Sequence, residues 1–186
     1  YEPHYEKMLE DHAEFLRIYT QAYQATKEEF YKNAVLGVLK YAKEKLENPQ
    51  GGFYGSQDAD EEYYKLGLDE RRKRTPPFID KTIYASWNGK MVSSYLHAFN
   101  AFGDAHLKEF AIKSIEFILN NCYIQNEGVC HFYESGKKGL NGLLADNLYF
   151  ANSLLDAYEV TGEQKYFDKA KELSDLIIKM FFNSEK

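Results

Sequence analysis

The sequence predicts an all-α fold of three helical hairpins. Six segments place apolar residues at i, i+3, i+4 and i+7, the period of an amphipathic helix rather than of a strand. Three short polar turns join them in pairs, and the residues around those turns repeat.

The first segment carries Met8, His12, Phe15, Leu16, Tyr19 and Tyr23 on one stripe, and the second carries Phe30, Ala34, Val38, Leu39, Ala42 and Leu46. Thr26 followed by Glu29 reads as a capping box between them. The third runs through Met91, Tyr95, Ala98 and Phe102, and the fourth through Leu107, Ala111, Ser114, Ile115 and Ile118. Gly103 and Asp104 supply the C-cap and N-cap of that turn. The fifth uses Leu144, Leu148, Ala151, Leu155 and Tyr158, the sixth Tyr166, Ala170, Leu173, Ile177 and Phe181, with Thr161, Gly162 and Glu163 between. Around each turn a small residue and an aromatic precede, and an aromatic and an Ala follow: AYQATKEEFYKNA, AFNAFGDAHLKEFA and AYEVTGEQKYFDKA.

The helical period is lost from Asn48 to Ala85 and from Cys122 to Gly142, which are long connections of the kind that carry function. Within the second, GVCHFYESG alternates Val129, His131 and Tyr133 with Cys130 and Phe132, the pattern of a short strand or hairpin lip. In an up-and-down succession the first, third and fifth helices run in one direction. Their N-termini and both long connections then share one end.

Composition narrows the function classes. The 186 residues hold 23 Lys and Arg against 29 Asp and Glu, a net charge of −6, which argues against a nucleic-acid platform. No apolar run approaches the roughly 20 residues needed to span a bilayer, so no membrane partner is expected. Two cysteines, Cys122 and Cys130, make no disulfide framework and no ligand spacing, which points to packing residues and a cytoplasmic protein. The chain opens on Tyr1 without an initiator Met, as expected of a fragment, and residues 1–186 read as a single domain. Sixteen Tyr, 13 Phe and one Trp suit a polyol-binding cavity and equally a helical core with amphipathic edges.

Four motifs fall at the shared end. PHYEKML sets His4 beside Glu6 at the first helix N-terminus, an acid/base arrangement or simply a turn residue beside a dipole-compensating carboxylate. GGFYGSQDAD spaces Asp58 and Asp60 to project to one side of an extended segment, as an acid and base pair, as hydroxyl readers, or as a solvated acidic loop. DKTIYASWNG puts Asp80, Trp87 and Asn88 before and at the third helix, where an indole can stack on a sugar ring or fill the core. LADNLY puts Asp146 and Asn147 at the fifth helix, as ligand groups or caps. GxSxG, Walker, HExxH and GxGxxG patterns are absent, so serine hydrolase, nucleotide-binding and metalloprotease mechanisms have no support; no cofactor and no metal are expected.

PHYEKML, GGFYGSQDAD, DKTIYASWNG and LADNLYFANSLLDAYEVTG resemble, in order and placement, the PHFEKML, GGF.S..DAD, DDKVLTSWNG and DDYA..I.GLLDLYEATG motifs of the DUF255 family of spermatogenesis-associated, thioredoxin-like proteins. The resemblance covers nearly the whole chain. It implies an α/α toroid similar to N-acylglucosamine 2-epimerases and six-hairpin glycosidases, here an incomplete one with three of six hairpins. The resemblance does not extend to the family's thioredoxin-like domain. The stretch between the DAD and DDK motifs is much shorter here, only Glu61 to Ile79, and Ile79 and Ala145 stand where the family pairs two acids. The expected site is therefore His4, Glu6, Asp58 and Asp60 as catalytic groups, with Trp87, Asn88, Asp80 and Asp146 binding a sugar-like molecule by epimerase- or glycosidase-like proton transfer. Another outcome open to the sequence is a non-catalytic scaffold, and a homo-oligomer could complete the ring.

Overall fold

Six long helices form two layers. The computed structural model describes residues 4–182. In it α1 (Leu9–Thr26) is followed by α2 (Glu29–Tyr41), which continues as a single π-helical turn over Ala42–Leu46. The long connection holds two short helices, α3 (Glu61–Lys65) and α4 (Leu68–Arg71). Then come α5 (Ala85–Phe102), α6 (Ala105–Asn121), α7 (Leu144–Thr161) and α8 (Gln164–Phe181). The six predicted helices and their three hairpins are all present.

The inner layer is α1, α5 and α7. Contacts between α5 and α7 keep a nearly constant sequence offset: Ser86 with Asp146, Gly89 with Tyr149, His97 with Asp156. Those between α1 and α5 do the same, with Glu10 on Lys90, Ala13 on Ser94 and Tyr23 on Phe102. A constant offset means parallel helices, so the three leading ends point the same way, as the hairpin order predicts. The outer helices α2, α6 and α8 return antiparallel behind them. At Gly89 the helices touch backbone to backbone, since a Cβ there would lie 2.6 Å from the Tyr149 carbonyl.

Two small sheets cover the leading ends. Strands β1 (Lys7–Met8), β2 (Ser56–Gln57) and β3 (Ile79–Asp80) pair antiparallel, with Lys7 opposite Gln57 and Ser56 opposite Asp80. In the second sheet β6 (Gly128–Glu134) pairs with β4 (Ile83–Tyr84), β5 (Tyr123–Ile124) and β7 (Lys137–Asn141). The alternation in GVCHFYESG thus becomes a strand. β1 takes Met8, expected to open the first helical stripe, so α1 begins one residue later. The other two-residue strands and the short helices α3 and α4 lie in segments expected to be irregular, being too short to display a period.

The hydrophobic core lies between the layers. Phe53, from GGFYGS, is fully buried and meets Tyr95 and Phe110 edge-on at 4.9 and 5.0 Å. Burying such a ring contributes about 1.5–3 kcal/mol, so this loop is anchored as well as polar. One cap differs from expectation: Thr26 ends α1, where its hydroxyl donates to the Ala22 carbonyl and accepts the Glu28 N–H. Lys27 takes the left-handed position, leaving no capping box. Gly103 and Asp104 cap as expected, with the Asp104 carboxylate accepting the His106 N–H at 3.0 Å. Cys122 and Cys130 are buried thiols. Among the described residues no helix is long and apolar enough to cross a membrane.

Candidate functional site

The leading ends of α5 and α7 converge on one carboxylate. Asp146, in the first turn of α7, is 1% exposed. One of its oxygens accepts the Ser86 N–H from the first turn of α5 at 3.1 Å. The positive ends of two helix dipoles and their unmet N–H groups thus compensate its burial. From β6, His131 brings Nδ1 to 2.9 Å from Oδ2 and 3.2 Å from Oδ1 of the same carboxylate. A carboxylate only accepts, so Nδ1 carries hydrogen, and in the neutral ring Nε2 is the bare acceptor. The His131 side chain remains 31% exposed. A buried Asp orienting a half-open His is the geometry of a general acid/base pair.

β6 is held in place by the next residue. Asn147 accepts the Val129 N–H at 3.0 Å and donates to the Leu143 carbonyl at 2.8 Å. Its side chain passes so close to Gly128, at a φ of +85°, that a Cβ there would lie 2.0 Å from the Asn147 oxygen. The two polar residues of LADNLY therefore divide their work, one orienting His131 and the other fixing its strand.

Beside the pair stands an aromatic row. Tyr84 lies 4.5 Å from Trp87 and 5.6 Å from His131, centroid to centroid. The Tyr84 hydroxyl donates to Asp80 at 3.2 Å, whose other oxygen accepts the Thr82 N–H at 3.0 Å. Burial, and then the Asp80 charge, push the Tyr84 hydroxyl above its ordinary range. Trp87 is half-buried and packs against the core. Asn88 is fully buried and its amide is committed to backbone: it accepts the Phe53 N–H at 2.7 Å and donates to the carbonyls of Phe53 and Tyr84.

His4 and Glu6 lie just before β1 and Asp58 and Asp60 just after β2, and the antiparallel pairing puts those two ends on the same side. His4 Nε2 lies 3.4 Å from Glu6, with the His4 side chain 74% exposed. Asp58 accepts the Ala59 N–H, and Asp60 caps α3 through the Tyr63 N–H. Between this group and α1 lies Lys7, which donates to the Tyr64 hydroxyl and sits over its ring. Burial, and then Arg71, lower the Lys7 ammonium below its usual range. The eight expected residues thus divide. Asp146 contacts His131 directly, Trp87 and Asp80 adjoin it through Tyr84, Asn88 braces the Phe53 and Tyr84 backbone, and the other four flank the β1–β2 pair.

A hollow opens one helical turn beyond the pair. Lys90, Ser93 and Ser94 of α5, Tyr149 and Asn152 of α7, and Glu14 and Arg17 of α1 line a cavity of about 300 Å³. Because α5 separates α1 from α7 and α6 packs behind it, all three can meet only on the inner side of the row. Sequence reasoning missed His131, Tyr84 and this cavity. The alternation in GVCHFYESG put His131 on one strand face, but nothing in the sequence paired it with Asp146. Among the described residues no three His, Cys, Asp or Glu side chains gather as a metal site.

No family model matches the chain. Spermatogenesis-associated protein 20 from Homo sapiens is 23% identical in an alignment of 290 residues that covers 98% of this chain and 36% of that protein. The alignment is longer than the chain itself, so the human protein carries a long stretch with no counterpart here. Among solved structures, cellobiose 2-epimerase from Spirochaeta thermophila superposes with a TM-score of 0.79 at 15% identity, covering 95% of this chain and 44% of the other. A family 76 glycoside hydrolase (mannosidase) from Bacteroides thetaiotaomicron gives 0.72 at 16%, covering 96% and 46%. The chain therefore spans about a third of its human relative and less than half of each toroid. These findings bear out the resemblance to the DUF255 family and the α/α-toroid fold.

Proposed function

We propose that this DUF255-type toroid segment is carbohydrate-active, and that His131, oriented by Asp146, moves a proton at a sugar lodged against the inner helices. The observation that carries this reading is the buried carboxylate holding Nδ1–H, which leaves Nε2 as a base of fixed orientation. The cellobiose 2-epimerase and the mannosidase support the substrate class, because each carries its sugar chemistry on this scaffold. His4 and Glu6 were expected in the same roles. Their water-exposed contact at 3.4 Å holds a ring far less firmly than a buried carboxylate does.

In the epimerase-like form, Nε2 takes the proton from the carbon beside the open-chain carbonyl, and the electron pair left behind becomes the double bond of an enediolate. Return of a proton to either enediolate carbon gives an epimer or an isomer, with no net change in atoms. Trp87 and Tyr84 offer apolar faces to a sugar ring. Deuterium incorporation from heavy water into a panel of mono- and disaccharides tests this. The wild type exchanges label, and His131→Asn and Asp146→Asn do not. Absence of exchange with any sugar that binds overturns the catalytic reading.

A second reading rests on the apolar side chains exposed along both edges of the row. At one edge α7 exposes Leu144, Leu148 and Leu155, and α8 exposes Ile178 and Phe181; at the other, α1 exposes Phe15 and Ile18, and α2 exposes Phe30. In this reading a second copy of the chain closes the ring by covering both edges. Sedimentation then gives a dimer that Leu148→Glu dissociates, whereas a monomer at high concentration removes the reading.

A further inference from the structure

The cavity between the inner helices carries a charge pattern of its own. Two cations line it, and both are already matched. Lys90 Nζ lies 2.6 Å from Glu10 and 3.6 Å from Glu14, and Arg17 donates to Glu14 at 2.7 and 3.1 Å. Burial opposes the Lys90 charge, but Glu10 and then Tyr149 and Glu14 outweigh it, so its pKa stands above the usual value; Arg17 holds Glu14 below the usual carboxylate range. With Glu10, which stands behind Lys90 and outside the lining, counted beside Glu14, the two cations and two carboxylates balance. The face of Tyr149 lies under the Lys90 ammonium at 4.5 Å, which spends the free cation-π capacity there.

One polar group in the wall is unmatched. Ser93 is 7% exposed, and its hydroxyl has no partner among the described residues. The adjacent Ser94 hydroxyl is spent on the Ala13 carbonyl at 2.8 Å. A buried hydroxyl without a partner is costly, and a ligand or water hydroxyl relieves it. On the opposite wall Asn152 is exposed and brings an amide with both a donor and an acceptor.

We propose that this cavity binds one uncharged sugar ring, or a polyol of that size, and discriminates against phosphorylated and acidic sugars. A sugar hydroxyl both donates and accepts, so it can bridge Arg17 and Glu14 or meet Ser93 and Asn152 without disturbing the charge balance. A phosphate or carboxylate would meet cations whose charge Glu14 and Glu10 already balance, and would have to displace one of these carboxylates or sit against it. The volume of about 300 Å³ stands at the lower end of the ligand-pocket range, enough for a single ring and too small for a chain. The inference rests on the carbohydrate reading for the identity of the polyol, and on the wall chemistry alone for the exclusion of anions.

Saturation-transfer NMR and calorimetry on the chain, with mannose, glucose and myo-inositol against glucose 6-phosphate and glucuronate, test it. The neutral probes bind and the anionic ones bind at least about tenfold more weakly. Ser93→Ala and Asn152→Leu each weaken the neutral probes about fivefold or more while circular dichroism stays unchanged. Glu14→Gln frees one positive charge and raises affinity for the anionic probes. Equal or tighter binding of the anionic probes by the wild type overturns the inference, as does binding of no probe or indifference to both wall substitutions. The two readings fail separately. Neutral sugars bound in the cavity without deuterium exchange remove catalysis by His131 and leave the cavity assigned; exchange that ignores Ser93 and Asn152 does the reverse.

Discussion

Replacing Asp146 separates orientation of the His131 ring from its mere presence. In Asp146→Ala the Ser86 N–H and the His131 Nδ1–H lose their shared acceptor. Ser86 is buried, so its N–H carries a full unmet-donor penalty, while the ring is 31% exposed and can turn toward water. With roughly 1–3 kcal/mol for a buried unmet donor and a smaller share for the ring, the loss is about 3 kcal/mol. For a chain of this size that lowers the melting temperature by about 6–12 °C. Asp146→Asn keeps an oxygen for the Ser86 N–H and loses only about 1 kcal/mol, but its amide N–H faces Nδ1 and forces hydrogen onto Nε2.

The two variants therefore differ in stability and agree in losing proton exchange. Urea denaturation followed by circular dichroism reads the first, and label incorporation the second. An Asp146→Ala protein within about 0.5 kcal/mol of wild type would contradict the burial argument, and an Asp146→Asn protein with full exchange would contradict the tautomer argument.

Gly89→Ala, whose Cβ would press on the Tyr149 carbonyl at 2.6 Å, forces α5 from α7 and costs about 1–3 kcal/mol by calorimetry. Gly37→Ala, with nothing within 4 Å in the middle of α2, gains about 0.5–1 kcal/mol; equal effects of the two would contradict the packing of the inner row. Asn88→Ala strands the buried Phe53 N–H and two carbonyls and loses about 2–3 kcal/mol in urea titration. His12 titrates below its ordinary 6.5 because burial opposes its charge. The unfolded ring therefore protonates first, and stability falls as pH drops past 6.5 until the folded ring also protonates. His12→Gln removes that decline, so the stability of the variant relative to wild type rises on acidification between about pH 7 and 5; a flat difference curve refutes the burial of His12.

The helices were legible because each is long enough for several turns, and the repeat around Gly103 and Gly162 marked their ends. Parallel inner helices followed from hairpin order alone. What escaped was non-local or short. β1, β2 and β3 have two residues each, too few to show alternation, yet they bring part of each of the PHYEKML, GGFYGSQDAD and DKTIYASWNG motifs into one sheet. Asp146 was legible as a carboxylate at a helix tip, but its partner His131 lies on a strand fixed by Asn147, and that pairing depends on a tertiary contact. Asn88 stood in the right motif, where the structure gives it a bracing task. At Thr26, the hydroxyl turned back onto its own helix, a competition between local hydrogen bonds that spacing does not resolve.

The most direct test is the imidazole nitrogen spectrum of His131, recorded by long-range ¹H–¹⁵N NMR at neutral pH with and without mannose. The account predicts hydrogen on Nδ1, a bare Nε2, and an Nε2 resonance that moves as sugar is added. Hydrogen on Nε2, or a ring that averages between tautomers and ignores every sugar in the panel, would contradict it.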